Sequence, residues 1–169
     1  MRKITLLILF ICTTIKAQPP LMELHSNGFD PVEVSIPSIP VELFIKGTDT
    51  WAYEYNRLKS PVDVTNVTAN TITISAYKKN AFYYRNRGEA FFYKIHYTMT
   101  ITFHVNSYTL DFKVGDIYTD GDVLVEYKLP DYFASSGKLK DGYNMLDESL
   151  QKTVNDIVNS HYNFIIKYQ

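Results

Sequence analysis

The chain has almost no cysteine: Cys12 is the single one among 169 residues. It lies in an N-terminal apolar run that we expect to be removed, which leaves no disulfide framework, thiolate nucleophile or cysteine-ligated metal. The sequence also lacks a GxSxG elbow, an HExxH helix, a phosphate-binding loop and a calcium loop. We therefore expect a protein that is not an enzyme, with no catalytic residues, no cofactor and no metal site.

The chain also lacks an excess of positive charge. It has 17 lysine and arginine residues against 18 acidic ones, a net charge of −1. Loss of residues 1–17 would remove Arg2, Lys3 and Lys16 and no acidic residue, so the net charge would become −4. This sign opposes general affinity for nucleic acid, which we do not expect as a partner.

The first seventeen residues have the layout of a secretory signal peptide. Arg2 and Lys3 precede an apolar run over residues 4–15, and the small Ala17 offers a cleavage site. The run is shorter than the roughly 20 apolar residues of a membrane span, so we predict cleavage and no stable span. A lipoprotein would use Cys12, but a bulky isoleucine precedes it. We predict an exported protein, periplasmic or extracellular.

Two stretches of the mature chain have helical periodicity. The first runs from Pro40 to about Arg57, with a stripe of Phe44, Thr48, Trp51, Ala52 and Tyr55, and with Leu43 beside it. The second runs from about Met145 to Ile166, with a stripe of Leu146, Leu150, Val154, Ile157, Val158, His161 and Ile165. We expect both stripes to pack on a sheet, Trp51 as a core anchor and His161 as a packed histidine.

Between these helices the sequence alternates with the period of β-strands. Strands are predicted at Val32–Ile36, at 62–64 and 72–74 around a polar turn, and in the segment DVLVEYKL. The stretch YKIHYTMTITFHV places Ile95, Tyr97, Met99, Ile101, Phe103 and Val105 on one face and Lys94, His96, Thr98, Thr100, Thr102 and His104 on the other. The two histidines then lie about 26 Å apart along a strand, so we expect them to do no chemistry.

The next strand alternates through Tyr108, Leu110, Phe112 and Val114. We predict a hairpin with its two-residue turn at Asn106–Ser107, which pairs Val105 with Tyr108. The alternation breaks at Gly115, where we expect a bulge or the end of the strand.

The composition of residues 18–169 is that of one globular domain, with 46% hydrophobic and 21% charged residues in the whole chain. The order of strand, helix, a run of antiparallel strands and a final helix predicts an α+β domain. We expect an antiparallel sheet with two helices packed on one face.

The segment KKNAFYYRNRGEAFFYK is the one strongly basic and aromatic region. Its cationic side chains are our candidate interaction surface, and they are Lys78, Lys79, Arg85, Arg87 and Lys94. Such side chains could hold an anionic polysaccharide, a lipid headgroup or an acidic partner. They could equally protect an edge strand from aggregation, and the sequence leaves both interpretations open.

Three features resemble a bacterial envelope family of unknown function with a TATA-binding-protein-like (TBP-like) fold, the DUF4468-like proteins. They are the helix in ELFIKGTDTWAYEYN, the aromatic strands that include HVNSYTLDFKVGDIY, and the closing helix, over roughly Val32 to Ile166. The resemblance implies a curved antiparallel sheet with helices on its concave side, in proteins of the Gram-negative envelope. It implies no activity, and the name of the fold does not imply DNA binding.

We therefore expect a non-catalytic envelope protein that binds or scaffolds an unknown protein or an envelope polysaccharide. The alternative is a carrier of a small apolar ligand between sheet and helices, which the 14 tyrosines and 10 phenylalanines suggest.

Overall fold

The backbone follows the strand and helix periods of the sequence. A computed structural model describes residues 18–56 and 61–168, so the predicted signal peptide and the predicted helix end at Arg57 lie outside the described residues. In chain order the elements are β1 (Leu24–His25), β2 (Gly28–Phe29), β3 (Val32–Ser35), α1 (Val41–Asn56), β4 (Val62–Thr65), β5 (Thr71–Asn86), β6 (Glu89–Phe103), β7 (Ser107–Thr119), β8 (Leu124–Val125), a short 3-10 helix (Leu129–Tyr132) and α2 (Leu146–Lys167). The two predicted helices and the predicted strands β3, β4 and β6 are confirmed to within a few residues. The strand predicted at 72–74 extends to Asn86, the one predicted in DVLVEYKL has only two residues, and β1 and β2 were not predicted.

Six strands form one antiparallel sheet in the order β3-β7-β6-β5-β4, with β8 added to β7. Both helices pack on the same side, since Phe44 of α1 and His161 of α2 contact the ring of Tyr108 in β7. We call this side the helix face, and the side that carries the threonines of β6 the open face. The predicted α+β class is confirmed. Neither helix of the described residues is long and apolar enough to cross a membrane.

The β6–β7 hairpin has the predicted faces but a different register. We predicted that Val105 pairs with Tyr108, whereas the structure pairs Phe103 with Tyr108 and makes the turn at residues 105–106. The predicted register is wrong by two residues. A shift of two keeps every side chain on its own face, so the hydrophobic alternation fits both registers. In the turn, Val105 is 76% exposed.

The predicted break at Gly115 is a β-bulge. Gly115 and Asp116 of β7 together lie opposite His96 of β6. A Cβ atom at Gly115 would lie 3.1 Å from Nδ1 of His96 and 3.3 Å from its carbonyl oxygen. Glycine therefore allows the close approach of the two strands at this point.

The helix α1 buries most of its predicted stripe. Trp51 is 2% exposed and stacks on Tyr55 at 5.2 Å between ring centroids, so its role as a core anchor is confirmed. Leu43, predicted to lie beside the stripe, is exposed, and Gly47 is buried instead.

Gly47 lies where α1 meets the end of α2. A Cβ atom there would lie 2.8 Å from Cδ1 of Tyr168 and 3.2 Å from Cδ1 of Ile165. Glycine costs about 1 kcal/mol of helix propensity relative to alanine. Close packing of the two helices offsets this cost, and an alanine would require the side chains of Tyr168 and Ile165 to shift.

His161 joins both helices to the sheet from a fully buried position. Its Nε2 lies 3.0 Å from Oγ1 of Thr48 in α1, and its Nδ1 lies 3.3 Å from the Tyr108 hydroxyl in β7. Its ring meets the ring of Trp51 edge-on at 5.0 Å. Burial lowers the pKa of His161 to about 3, so the imidazole is neutral near pH 7. The predicted packed histidine is confirmed.

We predict that His161 makes stability depend on pH. Below about pH 6.5 the unfolded chain binds a proton at this histidine that the native state refuses until about pH 3. As the pH falls from about 6.5 to 5, the free energy of unfolding should decrease with a slope that approaches 1.4 kcal/mol per pH unit from this residue. Urea unfolding across this range measures the slope.

The matched variants are His161→Gln and His104→Gln. We expect the first variant to have a smaller pH slope than the second, in which the buried His161 is intact. Equal slopes in the wild type and His161→Gln would contradict the prediction, whatever the overall stability of the variant.

Candidate functional site

The β5–β6 hairpin extends beyond the rest of the sheet. Its partner β7 ends opposite Tyr93, so among the described residues Glu89–Phe92 pair with β5 alone. The turn residues Arg87 and Gly88 have φ angles of 50° and 89°. Two consecutive positive φ angles are the backbone conformation of a two-residue type I′ turn. We call residues 83–92 the ribbon.

Aromatic pairs cover both faces of the ribbon. On the helix face, Tyr84 stacks on Phe91 at 5.6 Å, and its hydroxyl lies 2.7 Å from that of Tyr93. On the open face, Tyr83 lies against Phe92 at 5.4 Å. Phe91 and Phe92 nevertheless remain 40% and 45% exposed. Exposed aromatic rings close together on a projecting hairpin are typical of an interaction surface.

Contacts within the chain occupy two of the five predicted basic residues. Lys78 turns to the helix face, where its Nζ lies 3.1 Å from the Tyr55 hydroxyl. Lys94 is paired with Asp122, and its Nζ lies 4.7 Å from the centroid of the Tyr118 ring. The hydrogen bond and the charge of Lys94 hold the pKa of Asp122 below its usual value. These two lysines hold the base of the hairpin in place.

The other three basic residues, Lys79, Arg85 and Arg87, are exposed. Lys79 lies in the bulge of β5 that precedes the ribbon. Arg85 lies opposite Ala90, on the open face with the Tyr83–Phe92 pair, and Arg87 is in the turn. The structure thus divides the predicted surface and leaves two of its five members on the ribbon.

We did not predict Phe91 and Phe92 as site residues. Consecutive residues of a strand face opposite sides, so two adjacent phenylalanines cannot both enter one core. Their position next to the Gly88 turn was the signal in the sequence that could have identified them.

His96 and His104 lie on the open side, eight residues apart along the chain. The ring of His96 lies 5.0 Å from that of Tyr77, and Nε2 of His104 lies 3.0 Å from Oγ1 of Thr109. The two histidines are not brought together. Across residues 18–56 and 61–168, no three His, Cys, Asp or Glu side chains are grouped so that they could hold a metal ion.

A cleft of about 590 Å³ opens between α1 and the loop that joins β4 to β5. Val41 and Ile45 of α1 and Ile72 of β5 form apolar parts of its lining. Its charged residues are Lys46 and two acids, Glu42 and Asp49. The carrier hypothesis placed a ligand beneath the helices. The cleft instead lies beside the first half of α1, and the loop residues 67–69 form its other wall.

Two solved structures are similar to this chain. One is a TBP-like protein from Parabacteroides distasonis, with a TM-score of 0.57 and 17% identity over 80% of this chain and 90% of the other. The second is a DUF4468 family protein from Bacteroides ovatus, with a TM-score of 0.55 and 12% identity over 88% of this chain and 89% of the other. No family model and no curated protein matches the sequence. Identities this low show the fold alone, and that fold is the TBP-like α+β fold that the sequence resemblance implied.

Proposed function

We propose that the protein is an exported, non-catalytic binding module of the bacterial envelope that holds its partner on the ribbon. The observation that carries the proposal is the projection of the ribbon beyond β7, with Phe92 exposed on the open face that it shares with Arg85 and Phe91 exposed on the helix face. Contact with a partner would remove these rings from water, which is favourable in proportion to the apolar area buried. The partner is a protein or an envelope polysaccharide.

The proposed contact combines two kinds of side chain. An arginine guanidinium binds carboxylates in a bidentate geometry, whether they belong to an acidic side chain or to an acidic sugar. Aromatic rings next to it can pack on apolar side chains or on the apolar face of a sugar. Arg85 and Phe92 share the open face of the ribbon, so one partner can engage both.

The sequence supports export of the protein and disfavours nucleic acid as its partner. The signal-like first seventeen residues favour export, and no cysteine follows them. A net charge of −4 without those residues disfavours nucleic acid. The TBP-like fold does not alter this, because a fold does not bring a function without the site that performs it.

Photo-cross-linking tests the proposal at two exposed positions, one in β6 and one in the turn that follows it. We expect benzoylphenylalanine in place of Phe92 to form covalent adducts in cells that express the protein, because a ring at this position faces the partner. The same amino acid in place of Val105, at the opposite end of β6, is the control. Mass spectrometry then identifies each adduct as protein or polysaccharide. No excess of adducts at position 92 over position 105 would contradict the proposal.

A second candidate function, the carrier of a small apolar ligand, is favoured by the cleft beside α1. Its volume of about 590 Å³ falls within the roughly 300–1,000 Å³ of ligand pockets. The apolar part of the lining suits an apolar molecule, and the two carboxylates of Glu42 and Asp49 against the single Lys46 favour an uncharged ligand over an anion.

We predict for the carrier function that N-phenyl-1-naphthylamine, an uncharged apolar dye, binds the cleft with one-to-one stoichiometry and increased fluorescence. Ala69→Trp fills the cleft from its loop wall and is expected to abolish binding. Leu43→Trp, on the exposed side of α1, is the matched control and is expected to keep it. Equal binding by both variants would exclude the cleft as the site.

A further inference from the structure

The outer edge of β5 along the ribbon is paired. The amide of Arg85 donates to the carbonyl oxygen of Asn144 at 3.2 Å, and the amide of Tyr83 donates to Oγ of Ser149 at 3.1 Å. Both amides therefore point away from β6. The loop before α2 and the first turn of α2 close this edge.

The opposite edge of the ribbon has free backbone groups. Ala90 and Phe92 of β6 are the cross-strand partners of Arg85 and Tyr83. In an antiparallel ladder, residue pairs alternate between those that hydrogen-bond to each other and those that do not. In a pair that does not, each residue directs both its N–H and its C=O away from the partner strand. Ala90 and Phe92 thus direct theirs away from β5. Within the part of the chain that the structure describes, the N–H and C=O of Ala90 and the N–H of Phe92 have no backbone hydrogen-bond partner, whereas the C=O of Phe92 lies opposite the N–H of Asp120.

A hollow of about 300 Å³ lies beside this free edge. The residues Phe91–Tyr93 line one side, and Thr119–Gly121, where β7 ends, line the other. A strand added to β6 here would lie beyond Asp120 and Gly121, beside Ala90. Its first side chain could enter the hollow, since neighbouring strands lie about 4.8 Å apart.

We propose that the ribbon binds an extended polypeptide segment as an additional strand on the free edge of β6. This rests on the proposed function and specifies its partner as protein. Three backbone groups, the N–H and C=O of Ala90 and the N–H of Phe92, supply the main-chain hydrogen bonds of strand addition. A polysaccharide has no regular row of N–H and C=O groups to complement them.

The open face of the ribbon selects the side chains of that segment. Arg85 is exposed, and across the ladder it faces Ala90, whose side chain is a single methyl group. Its guanidinium can reach over this methyl group to a carboxylate on the added strand. Two residues further along, Phe92 is also exposed and offers an apolar contact. The segment therefore carries an acidic and an apolar residue two positions apart, both on its open-face side.

A second copy of this chain matches the edge less well. If residues 89–92 paired with themselves around a two-fold axis at Phe91, Ala90 would lie opposite Phe92 of the other copy. The residue next to Arg85 on the added strand would then be this phenylalanine, which has no carboxylate for the guanidinium to bind. Charge complementarity thus favours a different, acidic partner over self-association.

The test uses capped seven-residue peptides of threonine that carry one glutamate and, two positions away, valine, leucine or phenylalanine, in both orders. Binding is measured by calorimetry and by amide shifts of the protein. We expect binding that Ala90→Pro weakens about tenfold or more, because proline removes one outward N–H donor and leaves the β5 side of the ladder unchanged. Arg85→Glu should lose these peptides and gain those with lysine in place of glutamate.

Each other result has a definite meaning. Unchanged affinity in Ala90→Pro, together with cross-links at position 92, overturns strand addition and keeps the ribbon as a binding site. If alginate binds in a way that depends on Arg85 but not on Ala90, the inference is overturned in favour of a polysaccharide. If the free protein forms dimers that Ala90→Pro dissociates, it is overturned in favour of a second copy of this chain. Failure of every peptide also overturns it. Failure of the cross-links as well removes the proposed function with it.

Discussion

The pairing of β5 with β6 is the interaction on which the rest of the structure depends. It runs from Thr71–Thr102 to Asn86–Glu89, and β4 and β7 add to its two sides. Because neither neighbour is as long, the ladder continues past them as a two-stranded ribbon. A ladder with both edges open at one end would expose two rows of backbone groups to any extended chain. Among residues 18–56 and 61–168, Asn144 and Ser149 close one row, and the other row has no backbone partner at Ala90 or at the N–H of Phe92.

The pairing of the outer edge of β5 depends on how the helices pack. Ser149, in the first turn of α2, accepts a hydrogen bond from the amide of Tyr83. The position of α2 is set further along by His161, which contacts Thr48 of α1 and Tyr108 of β7. Packing of the helices in the core therefore determines which edge of the ribbon is covered, although the ribbon itself lies outside the core.

The sequence predicts which side of a strand or helix is buried better than it predicts which distant residues contact each other. Period-two alternation identified the buried side of β6 and the break at Gly115, and helical periodicity identified both helices, because burial of one face imposes these periods. It could not distinguish registers that differ by two residues, nor show that β7 ends before β5 and β6. The pairing of Lys94 with Asp122 depends on residues distant in the chain, as does the contact of Gly47 with Tyr168. The division of the basic residues, and with it the site, therefore required the structure.

Residue-by-residue hydrogen exchange of the free, monomeric protein tests most directly that one edge of the ribbon is open. In this structure the amides of Ala90 and Phe92 face solvent, whereas that of Phe91 faces β5. We expect the first two to exchange faster than Phe91, while Tyr83 and Arg85 on the closed edge are protected. Protection of Ala90 and Phe92 equal to that of Phe91 would show that the edge is already covered and would contradict the account.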